Sequence, residues 1–478
     1  MFKNLLKDLK EYLPGKIIPF LFAFISIPFL TRLFPPEVYG NYTVTTSIIS
    51  LLSVFIGWIG MANIRFYPKY LKWGKTKWYK AAMLKVTLVS TSVISIFYLL
   101  ILLIFQKSIS DDLYFLLMIS FPLIILNSFF LVNQSILRLN NNIKYFSFST
   151  IWKSVVGFTI GILLVLMLGY GIEAMIYGNI IALLFIIWFT FKKSFNKFSL
   201  SVKPPKKFLL ITFSYALPLV FGSLLATMNK FIDRFFLLNY SGSDDVGIYV
   251  ANYAIPDQSL MFIITLLLYA THPLSIKIWE LEGLEKSKAF LSLSTKIFIL
   301  GIIPVIFGIL SIYNEISLSF LGAKYTSGAY IIPIICISTF FFGVQQRFQS
   351  IIHFQNKTLF ITFSMIFAFT INIILNIILI EPLGILGASI STLASNFTMS
   401  GFIIYYSRKF IKWSFPWLFS LKVLLISSLM LSVLIVIPNQ SNSIYSLLIK
   451  IPLGVAIFTI LSFLFLKKDI KSFVSINQ

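Results

Sequence analysis

Apolar positions along the chain fall into runs of roughly 17 to 25 residues, the length a helix needs to cross the hydrocarbon core of a bilayer. The runs predict fourteen helices, near 13–33, 42–63, 82–105, 113–137, 146–168, 173–191, 208–238, 248–271, 293–312, 328–350, 359–380, 385–406, 418–437 and 445–466. Basic residues punctuate the runs. The fold class read from this pattern is an all-α integral membrane protein.

Charge then orients the spans. The chain is 58% hydrophobic, yet its formal net charge is +23. Cytoplasmic loops of membrane proteins are enriched in Lys and Arg, and 29 of the 39 basic residues fall in the tails and every second loop. The N-terminal tail carries Lys3, Lys7, Lys10 and Lys16; the second loop runs from Arg65 to Lys80; the sixth holds Lys192, Lys193, Lys197, Lys203, Lys206 and Lys207. Arg138, Lys277, Arg347, Lys357, Arg408, Lys467, Lys468 and Lys471 belong to the same side. The alternate loops hold only Lys107 and Lys324 against eight acids, Glu315 among them. Both termini are therefore expected in the cytoplasm. The first helix is read as retained, because Pro14, Pro19 and Pro28 interrupt it and no small-residue cleavage site follows. Cys336 is the one cysteine, so no disulfide forms within a single chain.

Internal similarity adds a second level of organisation. Glu37-Val38-Tyr39-Gly40-Asn41-Tyr42 echoes Asp245-Val246-Gly247-Ile248-Tyr249, Gln134-Ser135-Ile136 recurs as Gln349-Ser350-Ile351, and Gly171-Ile172 as Gly384-Ile385. Asn141 and Asn356 follow the middle pair at the same distance. The copies keep their order at offsets of 207, 215 and 213 residues, which suggests a duplicated six-helix unit. Six helices return the chain to its starting side, so the copies relate by an axis along the membrane normal. The expected division is an N-lobe over 1–200, a C-lobe over 201–412, and two further helices with a tail over 413–478.

Four stretches carry a family resemblance: Thr31-Arg32-Leu33-Phe34-Pro35-Pro36-Glu37-Val38-Tyr39-Gly40-Asn41-Tyr42; Asp233-Arg234-Phe235-Phe236-Leu237 with Val246-Gly247-Ile248-Tyr249; Leu321-Gly322-Ala323-Lys324-Tyr325; and Pro382-Leu383-Gly384-Ile385-Leu386-Gly387-Ala388. They resemble the signature segments of Wzx-type flippases for O-antigen or capsule repeat units, in the multidrug/oligosaccharidyl-lipid/polysaccharide (MOP) exporter superfamily. The resemblance implies a V-shaped pair of six-helix lobes like those of MATE and MurJ transporters. It also implies alternating access, a bacterial inner membrane, and an undecaprenyl-diphosphate-linked oligosaccharide as substrate. Membrane lipids, a polysaccharide polymerase and chain-length machinery are the further partners it implies. A lipid II flippase resembling MurJ and a cation-coupled MATE-type multidrug antiporter are the nearest alternatives.

A doubly phosphorylated substrate calls for cations inside the membrane, where a charged side chain faces a cavity or a partner because lipid exposure is costly. Lys153, some seven residues into the fifth span, is the leading candidate, with extension to the headgroups as the bland reading. Lys230 and Arg234 lie one turn apart on span seven, with Asp233 between them; a packing ion-pair cluster is the competing account. Arg32 ends span one and is either a substrate contact or an interfacial anchor. Asp257, after Pro256, is the carboxylate nearest a midplane, and with Asp233 it is the candidate for H+ or Na+ coupling or for pairing with a cation. Lys85, Lys296, Lys422 and Lys450 lie near span ends and are expected to snorkel.

Other chemistries find less support. Gly74-Lys75-Thr76 imitates the end of a phosphate-binding loop, but Lys69 stands where the first glycine is needed. His272 and His353 read as isolated residues, so no metal site is expected. Basic residues alternate with spans instead of forming one face, which disfavours nucleic acid. A polymerase or ligase would carry a large outer loop with catalytic residues, and the outer loops here are short.

Overall fold

The structure, a computed structural model, describes residues 11, 13–195, 202–355, 357–438, 443–467 and 469. Lys3, Lys7, Lys10, Lys197, Lys468 and Lys471 of the charge pattern, and Asn356 of the repeat, lie outside the described residues.

Among the described residues there are fourteen membrane-length helices and no strand. They are α1 (Pro14–Leu33), α2 (Pro36–Lys72), α3 (Thr76–Phe105), α4 (Asp111–Leu139), α5 (Ile143–Leu168), α6 (Glu173–Ser194) and α7 (Lys206–Tyr240). There follow α8 (Ser243–Glu282), α9 (Leu284–Phe320), α10 (Ile332–Phe354), α11 (Leu359–Leu383), α12 (Ile385–Phe410), α13 (Trp417–Val436) and α14 (Ser443–Phe465). Thirteen are long and apolar enough to span a membrane. The exception, α12, has the length at 26 residues but buries a polar face of Ser389, Ser391, Thr392, Ser395, Ser400 and Ser407. Those hydroxyls lower its hydropathy without exposing it to lipid, since most donate back to helix carbonyls, as Ser389 does to Ile385 O at 2.8 Å.

Local chemistry explains the helix ends. Ser110 caps α4, its Oγ accepting from Leu113 N at 3.4 Å, with Asp111 and Asp112 in the first turn against the positive end of the helix dipole. Gly169 takes φ 68° to end α5, a conformation a side chain would resist. Several helices overrun their apolar windows: α2 has 37 residues, α8 has 40 and α9 has 37. The irregularity in α9 lies at Ile312, with φ −137° and ψ 17°, and not at Pro304 where the proline would suggest it.

The chain forms two compact units. Unit 1 comprises residues 1–30 and 37–235; unit 2 comprises residues 31–36 and 236–478. These bounds cut α7 at Phe235, whereas the division at 200 follows the repeat. In unit 1, α6 packs on both α5 and α4; in unit 2, α12 packs on both α11 and α10, so the repeat is visible in the packing as well as in the sequence. The α5–α6 crossing is unusually close, because a Cβ on Gly178 would stand 2.4 Å from Gly157 O and 2.5 Å from Gly161 N. Helices α13 and α14, which fall outside the repeat, pack on α9 and on each other.

Each unit is apolar inside and apolar outside. Ile56, Ile59, Met83, Val132 and Ile136 form the centre of unit 1, and Phe348, Ile352, Ile361 and Ile403 form one centre of unit 2. Val93, Ile104, Met167 and Val436 are largely exposed, as lipid-facing side chains of a membrane protein are.

Candidate functional site

Lys153 sits ten residues into α5, about 15 Å along the helix at 1.5 Å per residue. This is deeper than the sequence suggested, because α5 begins at Ile143. Its ammonium donates to Asn127 Oδ1 at 2.7 Å and lies 5.1 Å from the centre of the Phe130 ring. Both partners come from α4, one turn apart, so that helix offers the cation an amide oxygen and an aromatic face. Among the described residues no carboxylate lies within ion-pair distance of Lys153. A half-buried ammonium held only by neutral groups keeps most of its positive potential for a ligand.

Arg234 on α7 is turned instead toward α2, donating from Nη1 to Ser47 Oγ at 2.8 Å and to Thr43 O at 3.3 Å, with its Cζ 4.7 Å from the Phe231 ring centre. Lys230 is exposed and 5.9 Å from the same ring, while Asp233 between them is buried at 3% exposure. Lys153, Lys230, Asp233 and Arg234 thus share unit 1, on α5 and α7. Arg32 and Asp257 belong to unit 2. Arg32 is exposed and donates from Nη2 to Ser319 O at 2.6 Å, which fastens the end of α1 to the end of α9. Asp257 is half-buried on α8.

The motif segments converge on a packing hub in unit 2. Gly247 stands where any Cβ would strike Pro36 O at 2.0 Å, and Gly322 where one would strike Thr31 O at 2.2 Å. Tyr325 Oη donates to Phe34 O at 2.8 Å, and Gly322 N to Thr31 Oγ1 at 3.3 Å. Asn252 ties the rest together, donating to Tyr325 O at 2.8 Å and accepting from Ser317 Oγ at 3.1 Å. The glycines allow backbone to lie on backbone, and buried Tyr325 and Asn252 satisfy the carbonyls exposed at the helix ends.

With this geometry in place, the sequence matches the family described as polysaccharide biosynthesis protein over residues 5–279, more than half of the chain. The chain belongs to that family. A curated relative, an uncharacterized membrane protein of Methanocaldococcus jannaschii, is 25% identical over 243 residues. The match takes in 50% of this chain and 46% of that relative, so the chain spans about half the length of the relative it matches. Among solved structures, the lipid II flippase MurJ in an inward closed conformation superposes with a TM-score of 0.78 at 18% identity, covering 97% of this chain and 100% of the other. An inward-facing multidrug resistance MATE family transporter of the MOP superfamily superposes with a TM-score of 0.66 at 12% identity, covering 83% and 97%. An outward-facing MATE structure gives 0.59 at 13% identity, covering 84% and 93%. At these identities the likeness establishes the fold: this family member is a multi-pass membrane protein with the helical architecture of MurJ and MATE transporters.

Five positions correct the sequence reading. Lys450 does not snorkel: it is 3% exposed and pairs at 2.8 Å with Glu315, which lies inside α9 and not in an outer loop. Lys422 is part-exposed and pairs with Asp469 at 2.9 Å. Arg347 belongs to no loop; it is 4% exposed within α10. His272 and His353 are not isolated, because α8 and α10 bring their rings to 5.6 Å between centres. The available signal was helical spacing: Gln346, Gln349, Ser350 and His353 fall on one face of α10, a polar stripe in an apolar span.

Proposed function

We propose that this protein is a flippase that carries undecaprenyl-diphosphate-linked oligosaccharide repeat units from the cytoplasmic to the outer leaflet by alternating access. Family membership in polysaccharide biosynthesis and the MurJ-like fold support the class of activity. The observation that carries the substrate reading is Lys153, a cation well inside a spanning helix whose contacts are an amide oxygen and a ring. Diphosphate is the part of the substrate that such a cation attracts, while the glycan needs only hydroxyl and amide partners. Arg234 and Lys230 supply further positive charge on α7, and Arg32 lies at the end of α1. Asp257 and Asp233 are the groups through which H+ or Na+ coupling would act. The reading places the protein in a bacterial inner membrane with both termini cytoplasmic, the repeat-based lobes 1–200 and 201–412 rocking against one another, and a polymerase with its chain-length machinery downstream.

The test is a deletion strain lacking redundant flippases, assayed for periplasmic access of lipid-linked repeat units. Access should be lost and restored by the parent gene. Lys153→Ala should fail to restore it at normal protein abundance, and Lys153→Arg should restore it in part; full complementation by Lys153→Ala overturns the cation account. The MurJ likeness over 97% of the chain favours lipid II as a second substrate reading. That reading predicts rescue of a MurJ-depleted strain.

A further inference from the structure

Unit 2 contains a second, separate concentration of positive and hydrogen-bonding groups. A cavity of about 270 Å³ lies between α8 and α10, lined by Tyr269, His272 and Pro273 on one side and Gln346, Gln349 and His353 on the other. Arg347 is not itself a lining residue; it follows Gln346 in α10, is buried at 4% exposure, and donates from Nη1 to Thr271 Oγ1 at 3.0 Å, the residue before His272. Its Nε and Nη2 have no hydrogen-bond partner, and no carboxylate pairs with it among the described residues. The Phe298 ring lies 5.6 Å from its Cζ. Gln349 Nε2 stands 3.4 Å from His353 Nε2, and the Oε1 atoms of Gln345 and Gln349 are buried without donors.

A guanidinium cannot shed its proton in a protein and is expensive to leave buried and unpaired. Lys450 shows how the same unit handles a cation that serves packing alone, by giving it Glu315 at 2.8 Å. Arg347 has been given a hydroxyl, a ring and two guanidinium nitrogens, Nε and Nη2, without acceptors. We infer that the cavity between α8 and α10 is a phosphate-binding site, in which Arg347 supplies the fixed charge and His272, His353 and Gln349 the surrounding contacts. A planar guanidinium suits phosphate because two N–H groups engage two oxygens at once. A phosphate that keeps one hydroxyl proton also gives the orphan Gln349 amide oxygen a donor. At about 270 Å³ the cavity lies below the usual range for small-molecule pockets, so it takes one phosphate group with a short substituent and not a glycan. The phosphate can belong to a membrane lipid headgroup or be free in solution. The site does not rest on the transport reading, since neither Lys153 nor unit 1 takes part.

The test uses the full-length protein purified in detergent with lipid removed, and measures binding of inorganic phosphate by calorimetry against chloride at matched ionic strength. A parallel arm uses nanodiscs of phosphatidylcholine with or without dioleoyl phosphatidate and reads thermal unfolding. Saturable binding of inorganic phosphate assigns a soluble ligand; stabilisation by phosphatidate alone assigns a headgroup. In either arm Arg347→Gln should weaken binding by at least about tenfold, the scale of a lost hydrogen bond to a charged group, and Arg347→Lys by less. Should Arg347→Gln not fold, His272→Asn with His353→Asn, which leaves the cation in place, is expected to weaken binding several-fold. No response of the parent protein to either probe overturns the assignment, and so does unchanged affinity in the variants.

Discussion

Removal of Lys450 or Glu315 provides the sharpest test of the structure, because the two are 135 residues apart in sequence and meet at 2.8 Å in the interior of unit 2. Their side chains are 3% and 8% exposed, so water screens the pair little. With an effective dielectric constant near 20, Coulomb attraction at this distance is about 6 kcal/mol. Desolvating both ions costs several kcal/mol each, so the pair as a whole contributes little net stability. Truncating one partner is different, since it forfeits the attraction and leaves the other charge stranded: Lys450→Met or Glu315→Leu should each destabilise by about 3–5 kcal/mol. The double variant removes both desolvation costs and should return to within about 1 kcal/mol of the parent or exceed it, the outcome seen when buried ion pairs give way to apolar groups. Unfolding of the purified protein in mixed micelles, followed by helical circular dichroism as denaturing detergent is titrated, measures all four corners of the cycle. The coupling should exceed about 3 kcal/mol in magnitude. Single variants within about 1 kcal/mol of the parent, or a double variant no better than the worse single, would refute a buried pair joining α9 to α14.

Two further outcomes follow from the same packing. Lys422→Met, which breaks the part-exposed pair with Asp469, should change stability by less than about 1 kcal/mol in that titration; a loss as large as that of Lys450→Met would mean that exposure is misjudged at this pair. Gly178→Ala should cost about 1–3 kcal/mol or more by forcing α5 from α6, whereas Gly57→Ala, with nothing within 4 Å of the added carbon, should be neutral or mildly stabilising. Equal behaviour of the two glycines would refute the close crossing.

The spans were legible because bilayer thickness dictates their length, and even α12 could be recognised despite its buried hydroxyls. The pairs α5–α6 and α11–α12, at corresponding places in the two proposed copies, both pack closely. Hydropathy alone does not say where a helix stops relative to the protein surface. The apolar window of α9 closes near residue 312, yet the helix runs to Phe320, so Glu315 looked like a loop acid. Arg347 was misassigned for a different reason: it falls inside the apolar window 328–350, but a basic residue near a span end was counted with the cytoplasmic charge. Partners distant in sequence were beyond reach altogether: nothing in the local pattern joins Glu315 to Lys450 or His272 to His353. The motif segments were legible as a family signature but not as a structure, since only coordinates show Gly247 and Gly322 pressed on the Thr31–Pro36 turn.

Three interior cations separate into kinds once their partners are compared. Lys450 has a carboxylate, so its charge is spent within the fold and its loss should damage stability before transport. Lys153 has an amide and a ring, contacts that orient an ammonium without neutralising it. Arg347 has two guanidinium nitrogens, Nε and Nη2, without an acceptor. A charge in apolar surroundings draws a counter-charge as strongly as the fold withholds one, so the need for an external anion rises along that series. Depth alone would have ranked the three together; the number and charge of their acceptors divides packing from binding. The motif hub is built differently. Its polar groups, from Tyr325 Oη to Asn252 Nδ2, are met by neighbouring carbonyls and offer a ligand no unsatisfied donor, whereas Lys153 and Arg347, both outside the motifs, do.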